Sequence, residues 1–278
     1  MNFYYASINS GSNGNCYYLG NDNEGILIDV GIHVKEIEKR LKNLQIGVNK
    51  IKAVFVSHEH SDHIRGLNAF ASKYNVPVYL SNATQKMLHL KIRNINFCTI
   101  VHNEKISIGE LTVIPFSKKH DAADPFSFNV EYCGNTIGVY TDIGTICENV
   151  KTNFSKCQAV FLEANYDTAM LENGRYPFLL KQRIRGGEGH LSNMQALSLV
   201  KNHCNKNFKH IILAHLSAEN NNHEIVSELF NSSGINAKID IASRKKESKL
   251  FCFNENLSLS SDLNINVCQL ELFDDSLN

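Results

Sequence analysis

Short apolar runs recur along the chain, and several of them close on an acid or a histidine. Phe3 to Ile8 alternates as a half-buried strand does. Cys16 to Leu19 and Ile26 to Val30 flank an Asn/Asp/Gly turn at 21–25, the pattern of a hairpin. Val34 to Leu44 puts Ile37, Leu41 and Leu44 on one helical face. The β-branched and aromatic run Ala53 to Val56 predicts a buried strand, followed by a helix from Asp62 to Phe70, a strand from Val76 to Leu80 and a helix near Thr84 to Leu90. A β-rich stretch covers 106–141, with a turn at Cys133-Gly134-Asn135. Residues 177–204 are mainly helical. The strand Ile211 to Ala214, a helix near Glu224 to Phe230, and strands at Ile239 to Ala242 and Leu250 to Phe253 complete the pattern. Each half mixes strands and helices, which predicts two sheets flanked by helices in an α/β (α+β) fold.

Composition narrows the possibilities without choosing among them. The chain has 278 residues and 43% hydrophobic content, enough for one large core or two small ones. Its 28 basic and 28 acidic side chains cancel, so contact with a polyanion has to come from local patches. No run approaches the roughly 18 apolar residues of a membrane span. The segment Met1 to Tyr5 lacks the features of a secretion signal, and the eight cysteines show no CxxC spacing. A cytoplasmic protein with reduced thiols is expected, with Cys16 a small buried thiol.

The densest chemistry is the string His58-Glu59-His60-Ser61-Asp62-His63 at the end of the 53–56 strand. Two residues apart in extended backbone, His58 and His60 project to one side. Asp62 and His63 then open the next helix, so one loop offers two pairs of ligands. Imidazole mixed with carboxylate suits zinc, manganese or iron. Further residues of this kind stand at other strand ends: Asp142 after 137–141, Glu163 after 159–162, His215 after 211–214, and His120 with Asp121 after 113–116. Sites in such folds gather at strand termini. The expected grouping is His120 with His58 and His60, and His215 with Asp62 and His63, with Asp142 shared between them. Two divalent cations so held would lower the pKa of bound water. Asp29 also ends a strand, and a structural hydrogen-bonding role is expected for it. His33, His89, His102, His203, His210 and His223 lack this context and are assigned to surface or ordinary core roles.

These motifs resemble the metallo-β-lactamase fold superfamily, and within it the YycJ/WalJ family of bacterial metallohydrolases. The matching segments are Ser10 to Cys16, His58 to Leu67, His120-Asp121-Ala122, Thr141 to Gly144, Leu162 to Asn165, Gly189 to Asn193 and Ala214 to Ser217. The resemblance implies a four-layer αββα sandwich with a dinuclear site between its sheets, formed by His58, His60, Asp62, His63, His120, Asp142 and His215. It also implies nuclease action on DNA, 5′-directed and exonucleolytic, with a place in repair or replication. By analogy with phosphodiesterases of the superfamily, His190 protonates the departing oxygen and Glu163 holds the imidazolium, while Asp62 joins them as a catalytic residue. The fold alone leaves open a small-molecule hydrolase, such as a cyclic phosphodiesterase or thioesterase, and an RNA-processing nuclease.

Three cations lie just before His190. Lys181, Arg183 and Arg185 are candidate phosphate contacts, with Asn15 a candidate donor at the mouth of the site. The second basic run, 244–249, reads more readily as a solvated face than as an extension of that track. Composition shifts to Asn, Ser and Asp from residue 254, which divides the chain into a hydrolase domain at 1–253 and a tail at 254–278. Within the tail, Gln269, Leu270, Leu272 and Phe273 resemble the peptide by which DNA-processing enzymes grip the replication sliding clamp. A final amphipathic strand is the alternative there.

Overall fold

Two seven-stranded sheets face each other across a shared apolar layer in the computed structural model, which describes residues 1–88 and 95–254. The tail peptide 269–273 and His89 lie outside the described residues. The first sheet holds β1 (Asn2–Asn9), β2 (Cys16–Gly20), β3 (Gly25–Ile28), β4 (Ile51–Phe55), β5 (Val78–Leu80) and β6 (Phe97–Thr99). The second holds β7 (Ile106–Ile108), β8 (Leu111–Ser117), β9 (Phe126–Tyr132), β10 (Asn135–Tyr140), β11 (Ala159–Glu163), β12 (His210–Ala214) and β13 (Lys238–Ile241). The last described strand, β14 (Phe251–Asn254), returns to pair antiparallel with β1, so the first sheet runs β14-β1-β2-β3-β4-β5-β6. The second runs β13-β12-β11-β10-β9-β8-β7. Strands β3 to β6 are parallel, as are β10 to β13.

Among the described residues the helices are α1 (Val34–Asn43), α2 (Ser61–Ile64), α3 (Leu67–Tyr74), α4 (Asn82–Met87), α5 (Glu148–Phe154), α6 (Thr168–Asn173), α7 (Phe178–Arg185), α8 (Asn193–His203) and α9 (His223–Asn231). Three apolar clusters explain the layering. Phe3, Tyr5, Tyr17 and Phe55 of one sheet meet Phe128, Phe161 and Ile212 of the other in the centre. Ile37 and Leu41 of α1 and Phe70 of α3 cover the outer face of the first sheet against Leu27 and Val54. Phe154 of α5, Val200 of α8 and Phe230 of α9 cover the second against Tyr140, Val160 and Ile211. This is the expected four-layer αββα arrangement. Each fully buried aromatic or branched side chain contributes about 1.5–3 kcal/mol relative to exposure.

Local rules place most element ends. The β9–β10 hairpin turns on Cys133 (φ 46°) and Gly134 (φ 74°), the left-handed pair that a tight two-residue hairpin requires. Ser192 and Gln195 form a capping box that starts α8. One prediction needs correction. The helix expected from Asp62 to Phe70 is broken at Arg65-Gly66 into α2 and α3, because the Gly66 N–H donates to Val30 O at 2.8 Å and a side chain there would strike the Ile32 carbonyl. Helices α5 and α6 and strand β6 were not predicted.

Candidate metal centre

The parallel strands of both sheets end on one edge, and the predicted acids and imidazoles meet there. Asp29 follows β3, His58 follows β4, Asp142 follows β10, Glu163 ends β11 and His215 follows β12. Three of them sit in left-handed backbone, Asp29 at φ 60°, Asp142 at φ 54° and His215 at φ 55°. Such a conformation is uncommon for residues with a Cβ and concentrates at functional positions.

The donors fall into the groups expected from the sequence. Donor atoms of His58, His60 and His120 lie within 4.8 Å of one another, as do those of Asp62, His63 and His215. Asp142 stands between the groups: its Oδ2 is 3.2 Å from His63 Nε2 and its Oδ1 is 3.9 Å from His120 Nε2. His58 Nε2 faces His60 Nδ1 at 3.1 Å. His120 Nε2, His215 Nε2 and Asp142 Oδ2 are buried without a hydrogen-bond partner among the described residues. Unpartnered buried atoms are costly, and lone pairs aimed at one point are what a divalent cation takes. The residues therefore fit a metal.

A second layer fixes which nitrogen of each ring points inward. His63 Nδ1 is 2.7 Å from Asp29 Oδ2, which also accepts from Ser57 Oγ at 2.8 Å, and Ser57 Oγ is 2.9 Å from His58 Nδ1. His120 Nδ1 lies 3.0 Å from Gly189 O, and His215 Nδ1 lies 2.9 Å from Glu163 Oε1. In all four rings Nδ1 is engaged by the protein and Nε2 is left for the centre. Asp29 thus has the hydrogen-bonding geometry expected of it. Ser57 was not singled out in the sequence, nor was Asn165, whose Nδ2 donates to His215 O at 2.9 Å. Glu59 turns away and accepts the Ala123 N–H at 2.8 Å, pinning the loop behind His120.

His190 joins the group from the segment before α8. Its Nδ1 is 2.8 Å from Glu163 Oε1, while Glu163 Oε2 accepts from Ile143 N at 2.8 Å and Leu191 N at 3.1 Å. Burial alone would raise the Glu163 pKa, but the neighbouring His190 and His215 hold it down to about 2. Asp142 is likewise pushed up by burial and held well below the usual carboxylate value by His215 and His63. Burial lowers His120 to about 4 and His58 well below the ordinary imidazole value, leaving neutral rings with free lone pairs. Lys118, also not anticipated, buries its ammonium among these carboxylates and donates to Thr141 O at 2.6 Å, just before Asp142. Desolvation lowers its pKa.

The candidate substrate residues stand differently. Asn15 is wholly buried; its Nδ2 lies 3.3 Å from Asp62 Oδ2 and 3.1 Å from His63 Nε2. Arg183 Nε is 2.5 Å from Asp121 Oδ2, Arg185 pairs with Glu172, and Lys181 Nζ donates to Glu172 O at 2.7 Å. Of the histidines set aside, His210 is buried, bonded to Tyr5 and Asp240, and His223 is exposed.

Comparison with known proteins agrees with this geometry. Residues 10–97 match the family described as the metallo-beta-lactamase superfamily. The chain is 34% identical over 242 residues to a protein of Bacillus anthracis named exodeoxyribonuclease YycJ, covering 84% of this chain and 91% of that one. The chain belongs to the YycJ/WalJ family. A second member, named exodeoxyribonuclease WalJ, from Streptococcus pneumoniae, is 29% identical over 81% of this chain and 86% of its own. In fold, the chain resembles the metallo-beta-lactamase fold protein YhfI of Bacillus subtilis, with a TM-score of 0.70, 15% identity, and coverage of 91% of this chain and 99% of that one. Membership of the family makes the protein a metal-dependent hydrolase. No helix among the described residues is long and apolar enough to cross a membrane.

Proposed function

We propose that the protein is a dinuclear phosphodiesterase that digests DNA from an end, an exonuclease of repair or replication in the cytoplasm. The observation that carries this reading is the pair His190–Glu163 set beside two groups of metal-type donors, with Glu163 Oε1 2.8 Å from His190 Nδ1. Both named relatives are called exodeoxyribonucleases, which favours DNA over RNA or a small ester.

In this reading His58, His60 and His120 would hold one cation, and Asp62, His63 and His215 the other, with Asp142 standing between the two groups. Zinc, manganese or iron suits these donors and, when bound, supplies polarising charge and water of lowered pKa. The chain's own task is to move the second proton. His190 keeps its Nδ1–H on Glu163 and offers a proton at Nε2 to the departing oxygen, for an alkoxide leaves poorly without one. The ring is 21% exposed, enough to meet a substrate, while the carboxylate behind it is fully buried. Asp62, 19% exposed, faces the same opening and serves as ligand and catalytic residue together. Arg183 and Arg185, with Lys181, flank His190 and would meet the phosphates by exchanging their present partners; Asn15 would act from inside, through Asp62.

The test is elemental analysis of the native protein together with end-labelled DNA and RNA oligonucleotides. Two metals per chain and stepwise shortening of DNA, abolished in Asp62→Ala, support the reading. Turnover confined to small esters, or to RNA, overturns it. The tail residues Gln269, Leu270, Leu272 and Phe273 are proposed to bind the sliding clamp. Deleting them should abolish clamp binding and leave oligonucleotide turnover intact.

A further inference from the structure

The cations nearest His190 are engaged by acids or carbonyls, whereas a second set on the loop from β13 to β14 is not. The loop from β13 to β14 carries Arg244, Lys245 and Lys246, and no carboxylate lies within ion-pair range of any of them among the described residues. An arginine or lysine without an acidic partner keeps its full attraction for an anion.

This loop is anchored at the backbone rather than loose. The buried guanidinium of Arg40 donates to Ile8 O at 2.9 Å, to Asn9 Oδ1 at 2.5 Å and to Lys245 O at 3.1 Å. Asn13 Nδ2 donates to Arg244 O at 2.9 Å, Ser10 N to Ser243 O at 3.2 Å and Ser248 N to Ser7 O at 2.9 Å. The main chain is thus tied to β1 and its following loop along its length, which fixes the backbone from which the side chains of Arg244 and Lys245 project. Little ordering of the main chain is then needed when an anion binds.

They face a cavity of about 340 Å³ whose walls include Ser10, Ser217, His223, Arg244 and Lys245. That is the lower end of the roughly 300–1,000 Å³ common for small-ligand sites, a size for one nucleotide-like unit rather than a duplex. The wall of this cavity adjoins the segment that carries His215, since Ser10 Oγ accepts the His215 N–H at 2.7 Å and Ser217 lies two residues beyond His215. Arg244 Nη2 reaches Ser12 Oγ at 3.3 Å, a contact with a neutral hydroxyl that leaves the charge unneutralised.

We propose that this cavity is a phosphate-binding lane. Arg244, Lys245 and His223 take the backbone phosphates of the strand next to the bond being cut. The proposal rests on the nuclease reading above and adds where the strand lies. The guanidinium donates to two phosphate oxygens at once, the ammonium to another phosphate, and the hydroxyl of Ser217 completes the polar wall.

The test uses the metal-loaded full chain with two substrates, a fluorescein-labelled DNA oligonucleotide and bis(p-nitrophenyl) phosphate. In the double variant Arg244→Gln, Lys245→Gln, the ratio of kcat/KM for the oligonucleotide to that for the small ester falls on the order of tenfold, through KM. The slope of log KM against log salt flattens by about 0.7–0.9 for each cation removed. Arg244→Lys, which keeps the charge, restores most of the slope. An unchanged ratio and slope in the double variant, whether activity is retained or lost equally on both substrates, overturns the lane and leaves the nuclease reading standing. A wild type that cleaves the small ester and no oligonucleotide overturns the nuclease reading itself.

Discussion

Glu163 Oε1 lies 2.8 Å from His190 Nδ1, the carboxylate fully buried and the ring partly open to solvent. The bond fixes the ring's tautomer and leaves Nε2 as the face a substrate meets. If that nitrogen delivers a proton to the leaving oxygen, the need for it depends on the leaving group. Replacing His190 with Ala is expected to lower kcat on DNA by about 10²–10⁴, the usual worth of a general acid. The loss on a p-nitrophenyl ester should be far smaller, because nitrophenolate departs unaided. Equal losses on the two substrates would remove His190 from the proton path.

Asp29 supports the centre from behind, 2.7 Å from His63 Nδ1 and, through Ser57, one step from His58. It touches no opening, being fully buried. Asp29→Asn keeps the shape but weakens the acceptor that orients both rings. Metal affinity is expected to fall about 10–100-fold, as for other outer partners of ligating histidines. Competition against a chromophoric chelator measures it, and an affinity equal to wild type would assign Asp29 to turn geometry alone.

Removing the metal should also loosen the fold, because the donors come from both sheets and a cation binds them only when they are assembled. At a free metal concentration about 100 times Kd, binding adds roughly 2.7 kcal/mol of stability. For a chain of this size that corresponds to about 5–10 °C in melting temperature. Scanning calorimetry with and without chelator gives the difference, and Asp142→Ala, which removes the carboxylate between the two donor groups, should shrink it. A melting temperature indifferent to chelator would mean that the folded chain binds no metal at that concentration, and would overturn the metal centre.

Much of the candidate centre is legible because several of its donors follow an apolar run, and a parallel strand delivers its end to a common edge. His58, His60, Asp142, Glu163 and His215 all follow that rule. What stayed hidden depends on residues far apart in sequence. Asp121 and Glu172, which pair with Arg183 and Arg185, lie in other segments, so three cations near His190 read as free when they are not. The break at Gly66 is made by the chain crossing at Val30 to Ile32, which local helix periodicity cannot register. Strand β6 has three residues and little alternation to mark it. The loop 243–248 shows the reverse: a charge run that looks like ordinary solvated surface is tied down by Arg40, a residue of α1.

His210 joins the two sheets and should give stability a dependence on pH separate from the metal chemistry. Its Nε2 is 2.8 Å from Asp240 Oδ2 on β13, and its Nδ1 is 2.8 Å from the hydroxyl of Tyr5 on β1. With Nε2–H donating to the carboxylate, Nδ1 accepts from Tyr5 O–H, and every polar atom of the trio is satisfied while the ring is neutral. Protonation at Nδ1 would turn an acceptor into a donor and orphan a hydroxyl hydrogen that is completely buried. Burial accordingly lowers the His210 pKa below its ordinary 6.5, with Asp240 opposing the shift. A depressed folded pKa means that the unfolded chain takes up the proton first. The contribution to stability is therefore whole above about pH 6.5 and is lost as pH falls through the folded value. His210→Gln retains a donor and an acceptor but does not titrate. Wild type is expected to lose melting temperature relative to this variant between pH 7.5 and pH 5, most steeply below about 6.5. Parallel curves for the two proteins across that range would mean that His210 titrates alike in folded and unfolded chains.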